Sequence, residues 1–144
     1  MRFRRDSYVC SFGDDVRFNA ENGADGGDYL AWLRGRIEAF PEGVVHVWRG
    51  DRIIGQMEMR LRGSPAIGHV NLFYLIPEER GRGVGDALQR YAEEVFRRAG
   101  VRVVQLSVVP GNVRAVRFYA RHGWVDLGPR PDDSAVRLMQ LTLS

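Results

Sequence analysis

Gly81, Gly83 and Gly85 fall within five residues, with Arg80 just ahead of them and Arg82 among them. They follow an apolar run ending at Ile76-Pro77 and open the most regular helical pattern in the chain. Glycine has no Cβ, so backbone N–H groups in such a loop can approach a ligand closely. A helix starting there aims unpaired N–H groups and about half a positive charge at the same point. Arg80, Gly81, Arg82, Gly83, Val84 and Gly85 are therefore a candidate phosphate cradle, to which two guanidiniums add full charges. By itself, a glycine turn ahead of a helix serves packing as readily as anion binding.

Exclusion narrows the kind of cradle. A Walker loop needs Gly-Lys-Ser/Thr, yet all 21 basic residues are arginine. A dinucleotide fingerprint needs G-x-G-x-x-G and an acidic residue at the end of the next strand, and this sequence matches neither. The pattern that fits is Arg-x-x-Gly-x-Gly, from Arg80 to Gly85. Cys10 lies between Val9 and Ser11 with no base beside it, and reads as a small buried thiol rather than a nucleophile. No Cys/His cluster has zinc-site spacing, so no metal is expected.

A strand must deliver this loop and a helix must receive it. Val84, Ala87, Leu88, Tyr91, Ala92, Val95, Phe96 and Ala99 recur at helical spacing. Gln89, Arg90, Glu93, Glu94, Arg97 and Arg98 take the other face, and Gly100 closes the helix. Asp28 is a cap for a second helix, with Tyr29, Leu30, Leu33, Ile37 and Phe40 on its apolar side and Pro41 as its stop. A third runs from an Asn112 cap to His122 and ends at Gly123. Strands are expected at Val44–Trp48, Ile53–Leu61, Ile67–Ile76, Arg102–Val109, Trp124–Leu127 and Val136–Leu143. Arg2–Val9 is a further strand candidate, and Gly13–Gly27 reads as a surface loop or a poorly formed short helix. Gly50-Asp51 marks a tight hairpin, and Gly63-Ser64-Pro65 turns the next strand back. The order is a helix, a three-strand meander, a helix, a strand, a helix and a final hairpin, which is α/β with a mixed sheet.

At 144 residues, 44% hydrophobic and 27% charged, the chain reads as one soluble domain over residues 1–144. No apolar run approaches the ~18–20 residues needed to span a bilayer. MRFRRDSYVC lacks the ~7–15-residue apolar core of a signal peptide, so a cytoplasmic location is expected. The formal charge of +3 invites a nucleic-acid reading, but the arginines are scattered and their densest stretches interrupted. Nucleic acid is therefore not an expected partner.

After the strand ending at Val109 comes Asn112-x-x-Ala115-x-x-Phe118-Tyr119-x-x-x-Gly123-Trp124. It resembles the second signature of the GNAT N-acetyltransferase superfamily. Phe73-Tyr74-Leu75-Ile76-Pro77 followed by Arg80–Gly85 resembles the first, in the right order. Together the motifs cover a little under half the chain. The resemblance implies the GNAT fold, a mixed, mostly antiparallel sheet with splayed central strands flanked by helices. It implies acetyl-CoA as donor, with its pyrophosphate on Arg80–Gly85 and its pantetheine arm against the backbone of Phe73 and Leu75. The thioester would lie in the gap between Ile67–Ile76 and Arg102–Val109. Asn112 would cap its helix and touch the cofactor arm, and a small Ala115 would leave the arm room. Tyr119 would donate a proton to the departing CoA thiolate, and Trp124 would pack.

The reaction so implied is acetyl transfer to a primary amine of a small-molecule or peptide acceptor, by direct attack in a ternary complex. A catalytically silent CoA-binding or interaction module on the same fold is the alternative. A homodimer is a family expectation only. Asp132-Asp133 falls in the last hairpin loop, where a solvated turn or a site attracting a cationic amine would both suit it.

An alkylammonium acceptor must lose a proton before it attacks, so a base should sit near the thioester. Strand alternation puts His69, Asn71, Phe73 and Leu75 on one side. A turn centred on Gly63-Ser64 then sets Glu58 opposite His69, with Cβ atoms roughly 5 Å apart. His69, then Glu58, are the candidate bases; a polar pair lining a solvated sheet face is the other reading.

Overall fold

Gly50, at φ +60°, turns the chain between two β-forming runs and starts the meander. The structure, a computed structural model, describes residues 27–63 and 66–144. In chain order the elements are α1 (Gly27–Ala39), β1 (Val44–Arg49), β2 (Arg52–Arg62), β3 (Ile67–Leu75), α2 (Val84–Arg98), β4 (Val103–Val108), α3 (Val113–Arg121), β5 (Val125–Pro129) and β6 (Arg137–Thr142). Short 3-10 turns occupy Pro41–Gly43 and Pro77–Glu79. The strand expected at Arg2–Val9, Cys10, the expected loop up to residue 26, and Ser64 and Pro65 lie outside the described residues. No described helix is long and apolar enough to cross a membrane.

The six strands form one sheet in the order β1-β2-β3-β4-β6-β5. Every neighbouring pair is antiparallel except β3 and β4, which run parallel. That parallel contact extends only from Gly68↔Val104 to Val70↔Leu106. Beyond it the two central strands part, as expected.

The apolar stripe of α2 explains its packing. Leu88, Ala92, Val95 and Phe96 are buried against Met57, Met59, Val70, Val104, Leu106, Met139 and Leu141. Burial of a side chain such as Phe96 stabilises by about 1.5–3 kcal/mol. A Cβ on Gly68 would lie 2.7 Å from the Phe96 ring, so only glycine lets this helix sit so low on β3. Gly100 donates to Arg97 O and Val101 to Phe96 O, both at 3.0 Å, a Schellman closure with Gly100 at φ +79°.

Three expectations are corrected here. α1 is described from Gly27, so Asp28 lies within the helix and not ahead of it. Leu30 is 44% exposed instead of facing the core, whereas Phe40 is buried beside Phe96; the side chains of Tyr29, Leu33 and Ile37 are outside the description. Gln89 belongs to the interior rather than the polar face: its Oε1 accepts from Trp124 Nε1 at 3.2 Å and its Nε2 donates to Glu93 at 3.1 Å.

The register of β2 and β3 corrects a fourth expectation. Arg62 pairs with Ile67, a register centred one residue later than a turn on Gly63-Ser64 would give. His69 consequently pairs with Arg60, while Glu58 pairs with Leu72. Between those pairs the register slips and Asn71 is left over, a β-bulge. One extra residue reverses the alternation. Phe73, Val70 and Gly68 all face the α2 side, and His69 faces away from it.

Candidate active site

The loop between β3 and α2 is shaped by its glycines. Gly81 takes φ +73° and Gly83 φ +84°, left-handed conformations that suit glycine. Gly83 is the N-cap of α2, and no side chain caps that end. The first-turn N–H groups therefore stay available to an anion, at the positive end of a helix of 15 residues.

Phe73, Leu75, Arg80, Gly81, Gly83, Gly85 and Tyr119 line one cavity of about 360 Å³. Asn112 and Ala115 line a smaller one of about 120 Å³ that shares Phe73, Leu75 and Arg80. Asn112 caps α3 as expected, its Oδ1 accepting from Ala115 N at 3.4 Å. Arg80 turns back toward the strand: Nε donates to Leu75 O at 2.8 Å, and Cζ sits 5.2 Å from the Tyr74 ring centre. Two predicted residues stand apart. Arg82 is exposed and lines neither cavity, and the Val84 side chain packs on Ile54, Leu72, Tyr74 and Ile76.

α3 supplies residues that sequence reasoning missed. Arg114 lines both cavities, and its Nη2 lies 3.4 Å from where a Cβ on Gly81 would be. The Phe118 ring fills the space beside Gly85, only 2.9 Å from a Cβ built there. Arg121 completes the stripe. Positions 114, 118 and 121 share a helical face, a spacing that could have flagged them once Gly85 was assigned to the loop.

Tyr119 is wedged among rings. The centres of Phe73, Phe118 and Trp124 lie 6.4, 5.5 and 5.7 Å from its own. Among the described residues no hydrogen bond engages its hydroxyl. Burial pushes the phenol well above its ordinary value, so at neutral pH it holds its proton.

His69 and Glu58 lie on the sheet face turned away from α2 and line neither cavity. Glu58 is 1% exposed and accepts from Gln56 Nε2 at 2.6 Å. The acidic pair of the last hairpin is a turn element. Arg130 holds Asp132 at 2.9 and 3.2 Å and also donates to Ser107 Oγ at 2.7 Å. Asp133 accepts from Ala135 N at 3.1 Å. Among the described residues no group of three or more His, Cys, Asp or Glu could hold a metal ion.

Asp86, in the first turn of α2, also borders the larger cavity. His122 Nε2 approaches its Oδ1 at 2.7 Å and Arg121 at 3.3 Å. The His122 hydrogen bond holds the carboxyl below the usual carboxylate range; burial opposes this and Arg121 reinforces it. A carboxylate with a lowered folded pKa stabilises fully above its ordinary value of 3.8, and that contribution is lost as pH falls through the lowered value. Asp86→Asn is thus expected to lower Tm at pH 7, with the gap to the parent closing below pH 3.8. Thermal melts across that range check it; a gap that does not narrow in acid contradicts it.

Residues 7–124 match the Acetyltransferase (GNAT) family. The mycothiol acetyltransferase of Geodermatophilus obscurus is 30% identical over 128 residues, covering 69% of this chain and 42% of that protein. The chain thus spans less than half the length of that relative. The aminoalkylphosphonate N-acetyltransferase of Salmonella typhimurium is 30% identical over 104 residues, covering 67% of this chain and 68% of that protein. Among solved structures, PaiA N-acetyltransferase from Thermoplasma acidophilum in complex with coenzyme A superposes with a TM-score of 0.78 at 16% identity, over 98% of this chain and 89% of that one. The yncA protein of Salmonella typhimurium with acetyl-CoA gives 0.70 at 18% identity, over 99% and 86%. The parted central strands, the uncapped glycine loop and these matches converge: the chain belongs to the acetyltransferase (GNAT) family.

Proposed function

We propose that the protein transfers an acetyl group from acetyl-CoA to a primary amine, by direct attack while both substrates are bound. The observation that carries this is the cavity bounded by the end of β3 that has no pairing with β4, the glycine loop and α3. Acetyl-CoA would supply the activated acetyl thioester. The first-turn N–H groups of α2, with Arg80 and Arg114, suit its diphosphate, and Phe73 and Leu75 suit its arm. Holding amine and thioester together removes an entropic barrier of up to ~7–11 kcal/mol in ideal cases.

Tyr119, which lines the cavity and holds its proton, would protonate the leaving thiolate. The acceptor would enter from the opposite sheet face, where the Asn71 bulge has carried His69 and where Glu58 is buried. Either could accept the ammonium proton. The name of the Salmonella relative, an aminoalkylphosphonate N-acetyltransferase, supports a small amine as acceptor.

Thiol release from acetyl-CoA across small amines, amino-acid conjugates, aminoglycosides and peptide N-termini tests the proposal. Turnover is expected with at least one class. His69→Gln and Glu58→Gln should each depress kcat/KM and alter its acidic limb. If both keep the parent profile, neither is the base. Binding of acetyl-CoA with no turnover on any amine would favour a silent module.

A further inference from the structure

Glu79 is the last residue of the 3-10 turn Pro77–Glu79, immediately ahead of Arg80. It is 5% exposed. A buried carboxylate is the wrong sign for a loop that receives an anion, and burial alone would cost it heavily. Its partner comes from across the sheet. Arg49, the last residue of β1, donates from Nε at 3.0 Å to one carboxylate oxygen and from Nη2 at 2.7 Å to the other. Such a two-pronged pair fixes orientation as well as distance.

The surrounding backbone is tied as well. Ile76 N donates to Ile54 O at 2.8 Å, Glu79 N to Ile76 O at 3.0 Å and Arg80 N to Pro77 O at 3.2 Å. Glu79, gripped by Arg49, and Arg80, whose Nε donates to Leu75 O, are therefore the two side-chain anchors just before Gly81 and Gly83, whose positive φ angles give the loop its bend. Without an anchor at that point, a glycine-rich loop must be ordered by its ligand, at a cost in affinity.

We infer that Arg49 and Glu79 are positioning residues that hold the glycine loop ready for the donor's diphosphate. The inference rests on the acetyl-CoA reading above. It assigns to the β1–β2 hairpin a part in donor binding that no cavity-lining residue reveals, since neither Arg49 nor Glu79 lines either cavity.

The Arg49 side chain is 58% exposed, so Arg49→Gln threatens folding little and carries the test. Calorimetry with acetyl-CoA is expected to show roughly tenfold weaker binding by Arg49→Gln and by Glu79→Gln. Acetyl-pantetheine, which carries no diphosphate, should bind the variants as it binds the parent when followed by NMR shifts of the Phe73 and Leu75 amides. Arg49→Lys, keeping the charge without the fork, should recover part of the loss. Unchanged acetyl-CoA affinity in folded Arg49→Gln, or an equal loss for both donors, would overturn the inference while leaving the donor reading intact. Failure of the parent protein to bind acetyl-CoA would instead overturn the donor reading and this inference with it.

Discussion

Gly83→Glu is expected to reduce acetyl-CoA affinity at least a hundredfold, to below detection in a calorimetric titration. Two effects act together. Gly83 sits at φ +84°, where an L side chain costs roughly 1–2 kcal/mol. The larger effect is electrostatic. A carboxylate at the N-cap would take the uncapped N–H groups of α2 for itself, because a helix N-terminus favours any anion, tethered or free. The new side chain would thus act as a built-in competitor and repel the diphosphate. Nothing lies within 4 Å of a Cβ at this position, so the fold itself should survive. Gly83→Ala separates the contributions, since it carries the backbone strain alone and should bind more tightly than Gly83→Glu. Near-parental affinity in Gly83→Glu would mean that the loop does not hold the phosphates.

Tyr119→Phe should lower kcat by ~10²–10⁴-fold, the usual worth of a general acid. Donor affinity should stay within about twofold, because the ring's contacts with Phe73, Phe118 and Trp124 remain and a hydroxyl without a protein partner leaves none stranded. Steady-state kinetics with whichever amine proves active gives both numbers. A parental kcat would assign the hydroxyl no part in proton transfer and leave Tyr119 as a packing residue.

The loop and its helix were legible because their signals are local. Gly100 closes α2 and Asn112 caps α3 through contacts spanning three to five residues, which a linear pattern can carry. The neighbours of the loop were less so: Arg114, Phe118 and Arg121 come to it from a helix about thirty residues downstream. Register was hardest. A hairpin centred one residue later than Gly63-Ser64, and one surplus residue at Asn71, leave no periodic trace, yet the first moved His69 from Glu58 to Arg60 and the second set it on the face opposite Phe73. Gln89 was misplaced for a related reason, because its burial depends on Trp124, 35 residues away. Polar residues inside a helix stripe become readable only when their distant partner is known.

Three rows of backbone pairing are all that join β3 to β4. The sheet is two leaves, β1-β2-β3 and β4-β6-β5, sewn along a short seam. What holds the leaves at a fixed opening is α2, whose Leu88, Val95 and Phe96 belong to the same core as Met57 and Val70 on one leaf and Val104 and Leu106 on the other. The width of the cleft is accordingly set by side-chain volume, not by hydrogen bonds. A methyl group added or removed at Val95 or Phe96, which line neither cavity, would act as a shim, opening or closing the cleft without touching anything bound in it.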